Sequence, residues 1–224
     1  MLLFYHYKIF EVQMITIPKS LDFLIEDRTK EVCDFYLKLL NAKNTYIYKH
    51  SVQVANYASG IAAKLGLDKK EVGCIKMSAL MHDIGDLSVP NNILDKYPYL
   101  SVRENALYKR HAAAGAAMLE NLPEFGNIIS IIRSHHECWN GTGYPKHLKG
   151  ANIPLGARII AVADYYDRYV NPCTQNYKQD TEKGLKELKN KMGTCFDPEV
   201  VKAFLETLNK TKKKEKIQNK IMPA

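Results

Sequence analysis

Histidine and aspartate side chains recur along this sequence at intervals of about one helix plus one loop, and two adjacent pairs stand out, His82-Asp83 and His135-His136. Imidazole combined with carboxylate suits Fe, Mn, Zn or Ni rather than the all-oxygen shells that Ca and Mg prefer. So many ligands exceed the needs of one ion and suit two ions that share a carboxylate, an arrangement used to hydrolyse phosphate esters. The full set of candidate ligands is His50, His82, Asp83, His111, His135, His136 and Asp164.

Each of these residues, taken singly, has a simpler explanation. An isolated histidine such as His50 or His111 is more often a partly buried side chain with a satisfied hydrogen bond than a metal ligand. Asp164 follows the apolar run that starts at Ile159, where a buried carboxylate needs a metal, a hydrogen-bond donor or an arginine beside it. The adjacent pairs are more informative, because each offers two ligands at one helix end.

The elements that must position these residues are predicted to be helices. Apolar residues recur at helical spacing through most of the chain, and no strand-like alternation with hairpin turns stands out. We therefore predict an all-α fold, a bundle in which each helix delivers one or two ligands to a common core. Segments 87–99 and 137–153 contain Gly, Pro and Asn and are predicted as loops. The predicted helices cover about 21–40, 45–65, 68–83, 101–121, 124–136, 154–169, 181–193 and the chain from 198 onward.

Composition narrows the class of protein. The chain has 224 residues, a net charge of +8 and 46% hydrophobic residues, which suits one globular domain. No apolar run is long enough to cross a bilayer, and the start does not resemble a signal peptide. Five scattered cysteines fit a reducing compartment, so we expect a cytoplasmic location. The excess charge lies largely in 210–224, predicted as a basic flexible tail, and no motif indicates a nucleic-acid polymer as partner.

A more specific pattern begins at His135. The run from His135 to Pro145 reads HHECWNGTGYP. It is similar to the HHExxNGxGYP signature of the HD-GYP family of cyclic dinucleotide phosphodiesterases, within the HD superfamily of metal-dependent phosphohydrolases. The segments 157–167 and 193–201 also resemble that family, and the resemblance covers about residues 45–207.

The resemblance implies an HD-domain helical bundle with a bimetal core. Asp83 is expected to bridge the two ions and is the predicted catalytic residue, with a water between the ions attacking phosphorus. Fe or Mn is expected, with Zn or Ni as alternatives. The implied ligands are His50, His82 and Asp164 for one ion, and His111, His135 and His136 for the other.

The implied activity is hydrolysis of a cyclic dinucleotide phosphodiester, first of all cyclic di-GMP. Trp139 would stack on a guanine base or pack beneath its loop, and Arg158 would reach phosphate or pair with Asp164 or Asp167. The Gly-Tyr-Pro loop is expected to flank the substrate cleft and to meet a signalling partner domain, and a homodimer is an open alternative. The predicted substrate contacts are Asp86, Tyr144, Lys149, Arg158 and Lys178.

Three positions depart from the family pattern. Asp86 stands where the family usually has a lysine near the scissile phosphate. Tyr46 replaces the glutamate of members that hold a third metal, so two metals are expected. After Asp167 the usual Ala-Leu-Thr and Arg-Pro-Tyr-Arg stretches give way to Arg168-Tyr-Val, and Tyr177-Lys178 stands in for the last two residues of the second.

These departures keep two alternatives open. One is a phosphohydrolase acting on another nucleotide such as cyclic GMP-AMP, and the other is a weakly active or inactive metal-bound module that senses a cyclic dinucleotide or docks a partner. The predicted organisation is an N-terminal helical extension at 1–43, a catalytic domain at 44–209 and the tail at 210–224.

Overall fold

The computed structural model describes residues 27–172 and 180–221, which form helices joined by loops. Within those ranges the only β-type pairing is an isolated bridge between Met192 and Phe196, so the predicted all-α class is confirmed. Short 3₁₀ helices lie at Ile84–Ser88, Pro123–Phe125 and Gly150–Asn152. The α-helices are α1 Asp27–Lys43, α2 Thr45–Lys64, α3 Lys69–Met81, α4 Asn91–Leu94, α5 Val102–Tyr108, α6 His111–Met118, α7 Gly126–Ser134, α8 Leu155–Val170, α9 Thr181–Asn190 and α10 Pro198–Ile221.

Helix α2 occupies the centre of the bundle and packs against α1, α3, α8 and α10. Its start is fixed by Asn44, whose side chain accepts hydrogen bonds from the backbone N–H groups of Tyr46 and Ile47. The inward face combines apolar residues such as Val54 and Ile61 with His50. The helical spacing that buries the apolar residues therefore also carries His50 into the interior.

Helix α3 leads directly to the His82-Asp83 pair. It opens with the predicted capping box, in which the Asp68 side chain accepts from Glu71 N–H and Glu71 accepts from Asp68 N–H. The α-helical geometry ends at Met81, and the chain continues through His82 and Asp83 into the 3₁₀ helix Ile84–Ser88. The pair thus sits at a helix end, as predicted.

The single helix predicted for 101–121 is wrong, because the structure has two helices, α5 and α6, separated at Lys109 and Arg110. The break follows from close packing of α6 against the 3₁₀ helix. A Cβ at Gly85 would lie 1.9 Å from the carbonyl oxygen of His111, so only glycine allows this approach. The break places His111 at the first position of α6, facing the interior.

Helix α10 begins as predicted, with Pro198 at its first position and the Asp197 carboxylate accepting from Glu199 N–H at 2.9 Å. It extends to Ile221 and so enters the range 210–224 that was predicted as a flexible tail. The sequence between Pro198 and Ile221 contains no glycine or further proline, and its Lys, Glu and Gln residues favour helix. None of the described helices combines the length and apolar character needed to cross a membrane.

Candidate metal centre

Three histidines converge on one point in the interior. The Nε2 atom of His111 lies 3.0 Å from that of His136 and 3.4 Å from that of His135. Asp83 completes the group, with Oδ1 at 3.4 Å from His111 Nε2 and 3.7 Å from His135 Nε2. Three imidazole nitrogens and one carboxylate oxygen aimed at a common centre form a donor set typical of transition-metal sites.

A second group of donors lies on the other side of Asp83. The Oδ2 atom of Asp83 is 3.1 Å from His82 Nε2 and 4.0 Å from His50 Nε2. Asp164 joins them, with Oδ1 at 2.8 Å from His50 Nε2 and 3.9 Å from His82 Nε2. The two oxygens of Asp83 therefore face the two groups separately, which is the arrangement that a bridging carboxylate needs.

The backbone fixes the orientation of three of these imidazoles. The Nδ1 atom of each lies within hydrogen-bond distance of the carbonyl oxygen three residues earlier, so it is the nitrogen that donates. Nε2 is then the unprotonated nitrogen, and it points into the cluster. The pairs are His82 with Ala79 at 2.7 Å, His111 with Tyr108 at 2.8 Å and His135 with Ile132 at 2.6 Å.

His50 is oriented differently, by a side chain. Its Nδ1 lies 2.6 Å from Asp167 Oδ2, and Asp167 in turn accepts from the Asn171 amide at 2.8 Å. Burial opposes protonation of His50, but hydrogen bonds to Asp164 and Asp167 outweigh it and raise its pKa to about 9. His50 is therefore held between two carboxylates, one in the cluster and one behind it.

The electrostatics of the three-histidine group favour neutral imidazoles. Burial, followed by the neighbouring His82 and His111, lowers the pKa of His135 to about 3. Burial likewise lowers the pKa values of His111 and His136. Since a metal ion binds only the neutral ring, these side chains are in the ligating state at neutral pH.

Asp83, unlike these histidines, favours its charged form. Burial opposes its ionisation, yet the adjoining His82, His111 and Arg168 hold its pKa well below the usual range. Neither Asp83 Oδ1 nor His82 Nε2, both buried, has a hydrogen-bond partner within the described ranges. Buried polar atoms without partners are costly in a native protein. Asp83 Oδ1 faces the three-histidine group and His82 Nε2 belongs to the second group, so a cation in each group would satisfy one of these atoms, and the donor set fits metal ions.

A cavity of about 250 Å³ opens beside the second group, lined in part by His50, Asp83, Asp86 and Arg168. Asp86, one of the predicted substrate contacts, is only 1% exposed. The 3₁₀ helix that follows Asp83 turns it inward. Burial and the negative charge of Asp83 raise the pKa of Asp86 well above its usual range.

The loop after His136 returns to the cluster through Tyr144. The Tyr144 ring stacks on the His136 ring at a centroid distance of 4.9 Å, and Tyr144 N–H donates to the His136 carbonyl at 3.1 Å. Glu137 is buried and accepts from the backbone N–H groups of Lys146 and Leu148 at 2.6 and 3.0 Å. The loop is thereby fixed against the candidate metal ligands.

Among the described residues, the other predicted substrate contacts do not lie together at the cluster. Arg158 donates to Asp197 at 2.6 Å rather than pairing with Asp164 or Asp167, and its guanidinium lies over the Trp139 ring at 5.6 Å. Lys149 is exposed on the loop. Lys178 lies outside the described residues, as do Tyr177 and the first part of the predicted extension at 1–43. Within the described ranges, the structure brings Tyr144 and Asp86 near the cluster and gives Arg158 a partner on another segment.

The HD domain family matches residues 35–200, a range that contains every histidine and aspartate of the cluster. The chain belongs to the HD domain family. The resemblance inferred from the sequence is confirmed, and the helices that carry the ligands are those of an HD domain.

Several curated relatives of this HD domain are named as cyclic dinucleotide phosphodiesterases. It is 32% identical over 182 residues to a cyclic di-GMP phosphodiesterase of Thermotoga maritima, covering 80% of this chain and 50% of the relative. It is 34% identical over 172 residues to the 3′3′-cGAMP-specific phosphodiesterase 3 of Vibrio cholerae, covering 77% and 37%. The chain thus spans half or less of the length of these two relatives.

A solved structure supports the same placement. An HDGYP protein of Bdellovibrio bacteriovorus superposes with a TM-score of 0.61 at 27% identity, covering 73% of this chain and 52% of the other. Both the sequence relatives and this structure therefore place the HD domain near the HD-GYP members of the family.

Three residues of the HD domain site were not predicted as functional. Asp167 orients His50, and the signal for it was its position one helical turn after Asp164, on the same face of α8. Glu137 holds the loop, and the signal was its place within the HHE run. Arg168, which donates to Asp164 at 2.8 Å, had no signal beyond its departure from the family pattern.

Proposed function

We propose that this protein is a metal-dependent phosphodiesterase that hydrolyses a cyclic dinucleotide, with cyclic di-GMP as the first candidate substrate. The observation that carries the proposal is the position of Asp83, whose two oxygens face two separate groups of buried donors. Such an arrangement suits a pair of ions that share one carboxylate, and such pairs serve phosphate ester hydrolysis.

The proposed ligand sets follow the two groups. Tyr46 stacks on His50 at 6.0 Å and offers no carboxylate for a further ion, which supports two ions rather than three. Fe or Mn is proposed because imidazole and carboxylate donors are mixed, and Zn or Ni would also fit. Asp83 is the proposed bridge, His50, His82 and Asp164 hold one ion, and His111, His135 and His136 hold the other.

Divalent ions bound here would supply Lewis acidity toward the phosphate and lower the pKa of a water. The chain's own residues do the positioning. Backbone carbonyls hold the imidazole rings of His82, His111 and His135 with Nε2 inward, and Asp167 does the same for His50 from the side. The ligands are therefore preorganised and need little rearrangement for the reaction.

The substrate assignment rests on the relatives' names and on the fold. The Thermotoga maritima relative is a cyclic di-GMP phosphodiesterase, and we extend that substrate to this chain. The Vibrio cholerae relative, named as specific for 3′3′-cGAMP, is similar at a comparable identity, which makes cyclic GMP-AMP the second candidate. Asp86, which replaces the expected lysine, favours a third possibility, a module that binds the dinucleotide without turnover.

Other parts of the proposal concern the surroundings of the site. Tyr144, stacked on His136, is the proposed aromatic contact for the substrate. Lys149 on the loop and Lys178, which lies outside the described residues, are proposed to contact its phosphates. Arg158 is proposed to support the fold instead, because Asp197 already holds it. We retain the division into an extension at 1–43 and a catalytic domain at 44–209, and we infer a cytoplasmic location. The Gly-Tyr-Pro loop is the proposed contact for a signalling partner or a second copy.

The test is turnover by purified protein loaded anaerobically with Mn or Fe(II). Cyclic di-GMP, 3′3′-cGAMP and cyclic di-AMP are each supplied, and linear dinucleotide or mononucleotide products are measured. We expect hydrolysis of cyclic di-GMP that disappears in Asp83→Asn and persists in Arg133→Ala, a change in a surface ion pair with Glu120. Binding without products would support the binding module, and absence of both would contradict the proposal.

A further inference from the structure

Arg168 reaches the candidate metal centre from the last turn of α8. Its Nε donates to Asp164 Oδ1 at 2.8 Å, and its Nη2 lies 3.6 Å from Asp83 Oδ2. The guanidinium also lies 5.2 Å from the centroid of the Tyr97 ring. The side chain is 20% exposed, while Asp83 beside it is only 2% exposed. Arg168 therefore lines the cavity and is more exposed there than Asp83.

Apart from Arg168, the described lining of this cavity offers no side chain that could bind a phosphate as a lysine or arginine does. Among the described residues that line it, Asp83, Asp86 and Asp95 are carboxylates, and Arg168 is the only lysine or arginine. A cyclic dinucleotide carries two negatively charged phosphodiesters. Carboxylates in a partly enclosed space repel such a ligand unless a fixed cation is present.

Position 86 does not supply that cation. Asp86 is 1% exposed and belongs to the 3₁₀ helix Ile84–Ser88. Arg168 enters the same cavity from α8, at the place where the resemblance leads one to expect alanine. Because a guanidinium carries five N–H donors, it can hold Asp164 and a phosphate at the same time.

We propose that Arg168 binds a phosphate of the substrate and supplies, from α8, the positive charge that is missing at Asp86. This inference rests on the proposed function, since it assigns a contact within the same site. Before the substrate arrives, Arg168 neutralises Asp164 and Asp83. When the substrate enters, the guanidinium keeps its contact with Asp164 and directs its remaining donors to the phosphate oxygens.

The competing role for Arg168 is purely structural, as a counter-ion for two buried carboxylates. The two roles differ in what they predict once metal ions are bound, because the ions then neutralise Asp83 and Asp164 themselves. A structural counter-ion would affect thermal stability and metal content but not anion affinity. A phosphate-binding side chain affects anion affinity at equal metal content.

The experiment compares wild type, Arg168→Ala, Arg168→Lys and the control Arg133→Ala, all loaded with Mn and checked for equal metal content. Inorganic phosphate is titrated calorimetrically into each, and KM and kcat are measured for cyclic di-GMP. We expect Arg168→Ala to weaken phosphate binding and raise KM by about 10- to 100-fold, the usual effect of losing a hydrogen bond to a charged group. Arg168→Lys should recover part of both losses, and the control should match wild type.

Phosphate affinity and KM that stay unchanged in Arg168→Ala, at normal metal content, would overturn the inference. Failure of the proposed phosphodiesterase activity would give a different result from failure of the Arg168 inference. In that case the wild-type protein turns over no cyclic dinucleotide, while the phosphate titration still reports whether Arg168 forms an anion site.

Discussion

At the scale of single residues, Asp83 links the two groups of donors. Its two oxygens lie against different histidines, and the side chain is only 2% exposed. The carboxylate therefore contributes the negative charge that would hold the two proposed ions among these buried imidazoles.

Replacing Asp83 with asparagine keeps the shape of the side chain and removes its charge. We expect metal content to fall at both sites, and the melting temperature of the metal-supplemented protein to fall with it, because the shared ligand is lost. Elemental analysis and thermal melts measure the two effects. Asp95→Asn, an exposed carboxylate on the same cavity, is the control and should leave both unchanged. Wild-type metal content in Asp83→Asn would disprove the bridge.

His135 and His136 supply two of the three imidazoles on one side of Asp83. Changing both to alanine should remove about half of the bound metal, since the ligands on the other side remain. Metal analysis of protein grown with ample iron and manganese measures this. His147→Ala, which changes an exposed histidine on the following loop, is the matched control. Loss of all metal in the double variant would mean that the two sites fill only together.

At the scale of elements, contact between the 3₁₀ helix and α6 sets the distance between Asp83 and His111. Gly85 makes this contact, since its missing side chain leaves room for the His111 carbonyl. The distance between the 3₁₀ helix and α6 is thus set by direct contact between their backbones as well as by side-chain packing.

Gly85→Ala should force these two elements apart. The added Cβ would lie 1.9 Å from His111 O and 2.7 Å from Gly115 N, both backbone atoms that cannot move aside cheaply. We expect a loss of about 1–3 kcal/mol in the free energy of unfolding, or more, together with weaker metal binding. Urea unfolding and metal titration measure these effects. Gly126→Ala, where a Cβ meets nothing within 4 Å, should cost little, and equal losses in both variants would refute the steric argument.

The Arg158–Asp197 pair joins α8 to the start of α10. The side chains are 17% and 5% exposed and 2.6 Å apart. Arg158→Ala leaves Asp197 buried without its cation, so we expect a loss of about 1–3 kcal/mol in unfolding free energy. KM should not change. The exposed pair of Arg133 with Glu120 serves as control and should contribute less than about 1 kcal/mol. A raised KM in Arg158→Ala would restore its predicted substrate role.

Much of this arrangement could be predicted from the sequence. Apolar spacing located α2 and α8, and ligand types at their inward positions identified His50 and Asp164. The break between α5 and α6 could not be predicted, because it depends on the approach of Gly85, which is distant in sequence. The hydrogen-bond partner of Arg158 could not be predicted for the same reason, since Asp197 lies on another segment. The spacing of apolar residues along the sequence identifies the side chains that face inward. Contacts between residues on different helices can be identified only from the three-dimensional structure.

At the scale of the whole molecule, stability should depend on pH through buried histidines. The pKa of His135 is about 3 in the folded chain, below its ordinary value of 6.5. Between these values the unfolded chain binds a proton that the folded chain does not, so stability falls as pH falls below about 6.5.

The metal-free protein tests this dependence. At pH 5 the contribution of His135 should be about 2 kcal/mol less favourable than at pH 7.5, from the usual conversion of pKa differences. Urea unfolding of wild type and His135→Asn at both pH values isolates the effect. Only wild type should lose this His135 contribution to the free energy of unfolding at pH 5. Parallel losses in the two proteins would contradict the low pKa of His135.

The proposed ligands come from α2, the end of α3, α6, the end of α7 and α8, so five separate stretches of chain meet around Asp83. Ions bound there would act as cross-links among stretches that are far apart in the unfolded chain. Ions bound there would stabilise the folded bundle against opening, so its stability rises with the supply of free ion. The resistance of this protein to proteolysis would thus depend on the transition-metal ions available to the cell, whether or not a nucleotide is bound.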